Sequence, residues 1–408
     1  MPIKGDAHMD RPLAGLIVID LTRALSGPFG TMALADLGAD VIKIEPTPTG
    51  DMIRQWGPFD RDTSVYYLSA NRNKRCLGLD FRSKKGQEAL RKLALQADIV
   101  VENFKVGTMA SMGLDYDSLA LENPKLIMAS ISGFGHEGPA KNWPGFDQIA
   151  QGYSGLMSVT GTPETGATRV GVPIGDLTAG LWMTVGVLSA VIVRQQTGKG
   201  QHIQTSLLSS LLSLLSVQGQ RYLSVGEVPE PMGNAHPVIF PYGSFMASDG
   251  LMNLAPATTA MWEKTCEVLG LMAMVTDERF LTNTDRVRHR DILQEAFDRA
   301  LSTKTRAQWT EIMLANGIPA GPINTIADAM NDAQVQAMAM VENIHYPDLG
   351  HVKHVALPLN MPSVPRGQTV YAPAPQFGQH SVEVLRGLGW QEDEINDLVA
   401  NHVIYQQT

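Results

Sequence analysis

Short apolar runs alternating with helix-forming stretches constrain this chain more than any other feature. Leu16-Ile17-Val18-Ile19-Asp20-Leu21 suits a buried strand and is too short for a helix. Pro28 stands where a helix can open, Phe29 to Leu37 supplies small and apolar helix formers, and Gly38 is placed to end them in a left-handed cap. Val41-Ile42-Lys43-Ile44-Glu45 reads as the next strand. Strand, helix, strand on short links is a parallel crossover unit. The pattern recurs, with strands expected over 76–81, 98–102 and 126–130 and helices over 84–96, 177–195 and 206–223. Such repetition predicts a doubly wound, Rossmann-like α/β domain around a parallel sheet.

At 408 residues the chain exceeds one ordinary core. Pro and Gly gather over 226–241, and a hairpin is expected about Ser248-Asp249-Gly250, followed by helices near 259–270, 285–301 and 305–315. Residues 1–224 are therefore read as the first part of a large domain, 225–325 as a smaller α+β domain, and 326–408 as a return segment completing the large one.

Charge and cysteine usage exclude several classes. Asp and Glu total 41 against 32 Lys and Arg, a net charge of −9, which argues against a nucleic-acid partner. Cys76 and Cys266 are too few for a disulfide scaffold and read as thiols of a reducing compartment. No uninterrupted apolar run approaches the roughly 20 residues of a membrane span, and the opening MPIKGDAHMD lacks the apolar core of a signal peptide. A cytoplasmic protein without membrane association is expected.

Four motifs carry candidate chemistry. Gly133 to Gly138 has dinucleotide-fingerprint spacing, but Pro139 follows where an amphipathic helix should open, so a nicotinamide oxidoreductase has little support. His351 and His354 lack companion ligands, so no metal site is predicted. Asn71-Arg72-Asn73-Lys74-Arg75 is either a solvated loop or an anion subsite in which Arg72 and Lys74 hold phosphates, with Arg82 and Lys105 on loops at the same sheet edge. Asp176 opens an apolar helix and reads as an N-cap or as a nucleophile.

Taken in order, these blocks resemble the class III CoA-transferases, the CaiB/BaiF type. The resemblance rests on Leu21-Thr22-Arg23-Ala24-Leu25-Ser26-Gly27-Pro28, on Ala35 to Glu45, on Asn71 to Arg75 and on Glu102-Asn103-Phe104. It continues through Ser132-Gly133-Phe134-Gly135, Gly145-Phe146-Asp147, Gly175-Asp176, Thr197 to Gln201 and Gly233-Asn234-Ala235-His236-Pro237, covering roughly residues 12–390. It implies an interlocked homodimer of two-domain subunits, with the active site near the domain and subunit boundary and CoA as substrate rather than prosthetic group. Asp176 takes the place of the catalytic aspartate. CoA contacts map onto Arg23, Ala24, Leu79, Asp80, Arg82, Asn103 and Phe104, with Lys105 standing where the family often has arginine. The mobile glycine loop over the site maps onto Gly233 and Asn234.

The second half, including Gly317 to Asn324, resembles the branch that passes CoA from succinyl-CoA to small dicarboxylates. Arg169 is the candidate for holding a distal carboxylate. Arg23 and Leu25 replace the His and Gln of the formyl-CoA branch, which disfavours formate–oxalate exchange. Phe146 replaces the histidine of the racemase branch, and phenylalanine cannot serve as the second acid–base group that an acyl-CoA racemase of this fold needs. Backbone N–H groups around Gly135 or near Gly233 are expected to receive the oxyanions.

Overall fold

The computed structural model describes residues 11–407; the opening decapeptide considered above lies outside them. Contacts divide the chain into two units. The first takes in the chain up to Met157, Arg169–Val228 and everything from Gln334 on; the second takes in Ser158–Thr168 and Pro229–Ala333.

The main elements of the first unit are β1 (Ile17–Asp20), α1 (Ser26–Asp36), β2 (Asp40–Pro46), β3 (Lys74–Leu79), α2 (Lys84–Gln96), β4 (Ile99–Glu102), β5 (Ile127–Ser132), α3 (Asp147–Tyr153), α4 (Ile174–Thr197), β6 (His202–Ser206), α5 (Leu207–Leu214) and α6 (Ser216–Val225). The strands lie in the order β3-β2-β1-β4-β5-β6, all parallel, and Ile404–Tyr405 adds an antiparallel edge beside β3. Every residue of β4 and β5 is buried, as a parallel sheet covered on both faces requires. Ile19, Ile42, Leu77 and Val100 share one core with Leu90 and Leu93 of α2 and with Val384 and Ile395. Val18, Val41, Val101 and Ile127 share the other with Leu34 of α1 and with Ala179, Met183 and Val187 of α4.

Two glycines let α1 and α4 touch. A Cβ on Gly30 would lie 2.6 Å from the Gly180 carbonyl oxygen, and one on Gly180 would lie 2.4 Å from the Ser26 carbonyl oxygen. That approach fixes the first turns of α4 against the sheet. At 24 residues α4 is long and apolar enough to cross a bilayer by length and composition, which corrects the reading that no such segment exists. Here it packs on α1, α5, β5 and β6.

A lattice of buried charge lies beneath the loop that follows β1. Asp20 accepts hydrogen bonds from Thr22, from Thr31 Oγ1 at 2.6 Å and from Lys74 Nζ at 3.1 Å. Lys74 Nζ also donates to Pro28 O and to Asn71 Oδ1, each at 2.9 Å. Lys43 Nζ donates to Thr22 O and Asp51 Oδ2, both at 2.9 Å, and Asp51 receives the Ala24 N–H. Burial alone would raise the Asp20 carboxyl, but Lys74 and Lys43 bring it down to about 2.

The second unit holds a three-stranded antiparallel sheet of Ala320–Pro322, Gly250–Leu254 and Gly243–Ala247. Its core gathers Phe245, Trp262, Phe280, Phe297 and Trp309, with Trp262 stacked on Phe297 at 5.9 Å. Its limits differ from the expected 225–325. The helix Ile326–Asn331 belongs with it rather than with the return segment, and so does Ser158–Thr168, expected in the large domain. Gly161 O receives the Gly233 N–H at 2.6 Å, a long-range pairing that no local pattern announces. Two expected helices are each broken in two. Ser216, at φ 43°, follows the end of one, and His289 caps the second half of the other.

Removing one member of a buried ion pair strands its partner. Lys74→Met is expected to destabilise the protein by about 3–5 kcal/mol, read from the urea midpoint. Adding Asp20→Asn should restore part of the loss; no restoration would show that Lys74 acts through packing alone.

Candidate functional site

The sheet reverses its winding between β1 and β4, and open α/β sheets bind ligands outside the carboxyl ends of the strands at such a reversal. The residues mapped as CoA contacts at the ends of these two strands meet there. Asn103 Oδ1 accepts the Arg23 N–H and its Nδ2 donates to Arg23 O, both at 2.8 Å, so one side chain staples the loop after β1 to the loop after β4. Arg23 places its guanidinium 5.1 Å from the Phe104 ring centroid. Ala24 takes a left-handed φ of 62°. Phe81, between Asp80 and Arg82, lies 6.0 Å from Phe104, which brings the end of β3 to the same cluster. Arg82 and Lys105 are exposed, and Asp80 is partly so.

Two expected CoA contacts are corrected. The Arg72 guanidinium donates to both oxygens of Asp36, with its shortest bond at 2.6 Å, and to Val355 O at 2.7 Å, and it lies 4.9 Å from the Tyr371 ring centroid. Lys74 is the buried partner of Asp20. Both cations are consumed inside the fold, so the basic run is a structural brace rather than an anion subsite. Leu79 has a fully buried side chain at the end of β3, beside Ile404–Tyr405, so a ligand would meet it only through its backbone. The error has one cause: a charge run reads as solvated or ligand-binding only while its buried counter-charges, far off in sequence, remain unseen.

Gly133 and Gly145 explain why two motif blocks belong together. A Cβ on Gly133 would sit 2.4 Å from the Gly145 Cα, so the loop after β5 and the approach to α3 cross in direct backbone contact. Gly133 to Gly138 runs into turns, and the next helix begins only at Asp147, so the dinucleotide-fingerprint context is missing. Phe146, just before α3, is 59% exposed and free to meet a ligand.

Asp176 lies in the first turn of α4, partly buried. Its N-terminal neighbour Gly175 donates its N–H to Asp147 Oδ1 at 2.7 Å. Burial, then the nearby Asp147 charge, push the Asp176 carboxyl up to about 7. Arg169 is exposed; its one hydrogen bond, at 3.3 Å, goes to Val170 O, and among the described residues it pairs with no carboxylate.

Gly233 and Asn234 lie in the second unit. Gly233 has φ 59° and packs near Thr162, and Asn234 Nδ2 donates to Ser244 Oγ at 3.0 Å. Of the backbone N–H groups around these glycines, Gly135 N donates to Ser132 Oγ at 3.0 Å and Gly233 N donates to Gly161 O.

The profile of CoA-transferase family III matches residues 13–381. The succinate–glutarate CoA-transferase of Agrobacterium fabrum is 38% identical over 389 residues, 92% of this chain and 96% of that protein. The acetyl-CoA:oxalate CoA-transferase of Acetobacter aceti is 39% identical over 331 residues, 81% and 85% of the two chains. A crystal structure of a CAIB/BAIF family protein from Brucella suis superposes with a TM-score of 0.83 at 37% identity, covering 93% of this chain and 99% of that one. The chain belongs to CoA-transferase family III.

Two groups at the site of this transferase escaped the sequence. Glu102, buried at the end of β4, accepts the Phe104 N–H at 2.8 Å and shapes the turn that carries Asn103 and Phe104. Burial, eased by Ser130 and the Phe104 N–H, raises its carboxyl to about 7. Gln151, fully buried on α3, bonds Asp147 and Val170. Glu102 opens the recognised block Glu102-Asn103-Phe104 and Gln151 stands four residues after Asp147, which is the signal available for finding them.

The raised Asp176 carboxyl gives a pH prediction. The folded chain keeps this proton up to about 7, whereas an unfolded one releases it near 3.8. The folded state therefore binds more protons between those values, and this residue's contribution to stability falls as pH rises through the window. Asp176→Asn is expected to raise Tm at pH 8 by about 3 °C or more and to change it little at pH 4. Equal shifts at both pH values would contradict the assignment.

Proposed function

We propose that this transferase moves CoA from succinyl-CoA to a small dicarboxylic acid, with Asp176 as the covalent nucleophile. The observation that carries the reading is a partly buried carboxylate at the start of α4, set without a paired cation among the described residues and in the same unit as the crevice at the sheet reversal. Relatives named for succinate–glutarate and succinyl-CoA:glutarate exchange support the substrate class.

An Asp176 carboxylate oxygen attacks the thioester carbonyl; the new C–O bond forms as C–S breaks, and CoA leaves as thiolate with the electron pair. The thiolate then attacks Asp176 Cγ of the mixed anhydride and expels the donor acid as carboxylate, leaving an aspartyl-CoA thioester. The acceptor carboxylate repeats the sequence in reverse and departs as its CoA thioester. One thioester replaces another, so the overall exchange is near balance, and covalent catalysis divides a hard exchange into easier parts. Arg23, Ala24, Asn103 and Phe104 hold the CoA moiety, with Asp80, Arg82 and Lys105 at its margin. Phe146 bounds the acyl side, and Arg169 holds the distal carboxylate.

Self-association as an interlocked homodimer belongs to the same reading. Leu181, Trp182 and Val185 on α4 are each about half exposed, as are Leu212 and Leu214 on α5, and Val217, Leu223 and Val225 on α6 more so. Trp182 Nε1 donates to Ser213 Oγ at 3.2 Å, so the α4 and α5 rows adjoin. A second copy would cover this apolar face. The buried thiols Cys76 and Cys266 suit a reducing, cytoplasmic setting.

The decisive assay presents succinyl-CoA with glutarate, other dicarboxylates, oxalate and monocarboxylates, and reads new thioesters by mass spectrometry. Dicarboxyl-CoA products are expected, and Asp176→Ala should reduce transfer to background while the circular dichroism spectrum is kept. Full activity in that variant would refute the mechanism. Arg169→Gln should raise KM for dicarboxylates more than for monocarboxylates; equal effects would remove Arg169 from the acceptor site.

A further inference from the structure

Asp147 and Gln151 form a clamp around the segment that delivers Asp176. Asp147 Oδ1 accepts from Gly175 N at 2.7 Å, and its Oδ2 accepts from Gln151 Nε2 at 2.7 Å. Gln151 Oε1 in turn accepts from Val170 N at 2.9 Å. Two side chains one turn apart on α3 thus fix both ends of the stretch 170–175. Gln151 is wholly buried, and its amide is oriented by its two partners: a flip would set its N–H₂ against the Val170 N–H.

The clamp carries a charge that its holding role does not require. A neutral acceptor would serve Gly175 equally well, yet the group against this backbone is a carboxylate beside another carboxylate. The other elements packed on α4 offer little to offset it. α5 and β5 carry no ionisable side chain, α1 carries Asp36, which is tied to Arg72, and β6 carries His202, which is bonded to Ser130.

We propose that Asp147, locked by Gln151, is a positioning residue of the transfer: it fixes the start of α4 and, as a held negative charge, makes the Asp176 carboxylate a stronger nucleophile towards the thioester. This rests on Asp176 being the nucleophile. The chemistry gives the reason. When a carboxylate displaces a thiolate, the weaker base replaces the stronger, and an ordinary aspartate lies about four to five units below a thiol of pKa about 8.5. Burial and Asp147 together bring Asp176 up to about 7, which narrows that gap. No proton moves in the step, and the electron pair of the C–S bond leaves on sulfur.

The test separates charge from geometry. Asp147→Asn combined with Gln151→Glu retains every hydrogen bond. The introduced amide accepts from Gly175 through its carbonyl and donates through its N–H₂ to the introduced carboxylate, whose other oxygen accepts from Val170. Only the charge moves, away from the Gly175 backbone. The acid limb of kcat/KM for succinyl-CoA is expected to shift down by about one unit. The single-turnover rate of CoA thiolate release at pH 8.5 should fall about three-fold, the effect of one unit at a Brønsted coefficient near 0.5. Tm should stay close to the parent value. Asp147→Asn alone, which sets two amide N–H₂ groups against each other, should lower Tm as well as rate.

An unmoved acid limb in the double variant, with transfer still lost in Asp176→Ala, would overturn the tuning role and leave the nucleophile standing. Transfer retained in Asp176→Ala would overturn the nucleophile itself, whatever the limb does.

Discussion

Charge buried beneath the crevice of a parallel sheet must be paired inside the protein before anything outside can be bound there. Asp20, Lys74, Lys43 and Asp51 meet this demand together, each buried and each bonded to at least one other member. Their lattice reaches up to the backbone at Thr22 and Ala24, so the loop that opens the crevice at the sheet reversal is held from below. Above it, Asn103 closes the same loop against the end of β4. The cations beneath the crevice are paired within the fold, whereas Arg82 and Lys105 at its rim are exposed.

Two aspartates in this chain show how neighbours set the chemistry of one residue type. Asp20 is more deeply buried than Asp176, yet two lysines hold it ionised far below neutrality. Asp176 has a carboxylate where Asp20 has ammonium groups, and its carboxyl rises towards neutrality. The first is a brace and the second is the proposed reagent. The same contrast separates the buried Lys74, brought down to about 8 by burial against the pull of Asp20, from the exposed Lys105 on the crevice rim. A thioester exchange with no large driving force in either direction needs a nucleophile neither too basic to leave nor too weak to attack, and under the proposed mechanism the surroundings of Asp176 meet that need.

Local order was plain in the amino-acid pattern. The helix expected over 84–96 is present with those limits, capped by Ser83, because its apolar residues recur on one face and Gly86 meets the cap. The strand expected at 76–81 begins instead at Lys74, because the cations at its start are buried in ion pairs rather than facing water. Asp176 was identifiable from its motif and its place before an apolar helix. Glu102 was legible only as a member of its block and Gln151 was not singled out, since a polar residue's buried partners are not written in its local spacing.

By itself the sequence determined the alternation of strand and helix, the doubly wound class, the family and the aspartate at the start of α4, because each is written in residues close together along the chain. Only the tertiary structure decided which cations are free. Arg72 and Lys74 look like ligands until Asp36 and Asp20, 36 and 54 residues away, fold against them. It alone also placed Asp147 beside Gly175 and drew Ser158–Thr168 into the second unit. The physical reason is the same in each case: pairing energy depends on distance in space, and the order of residues does not carry that distance.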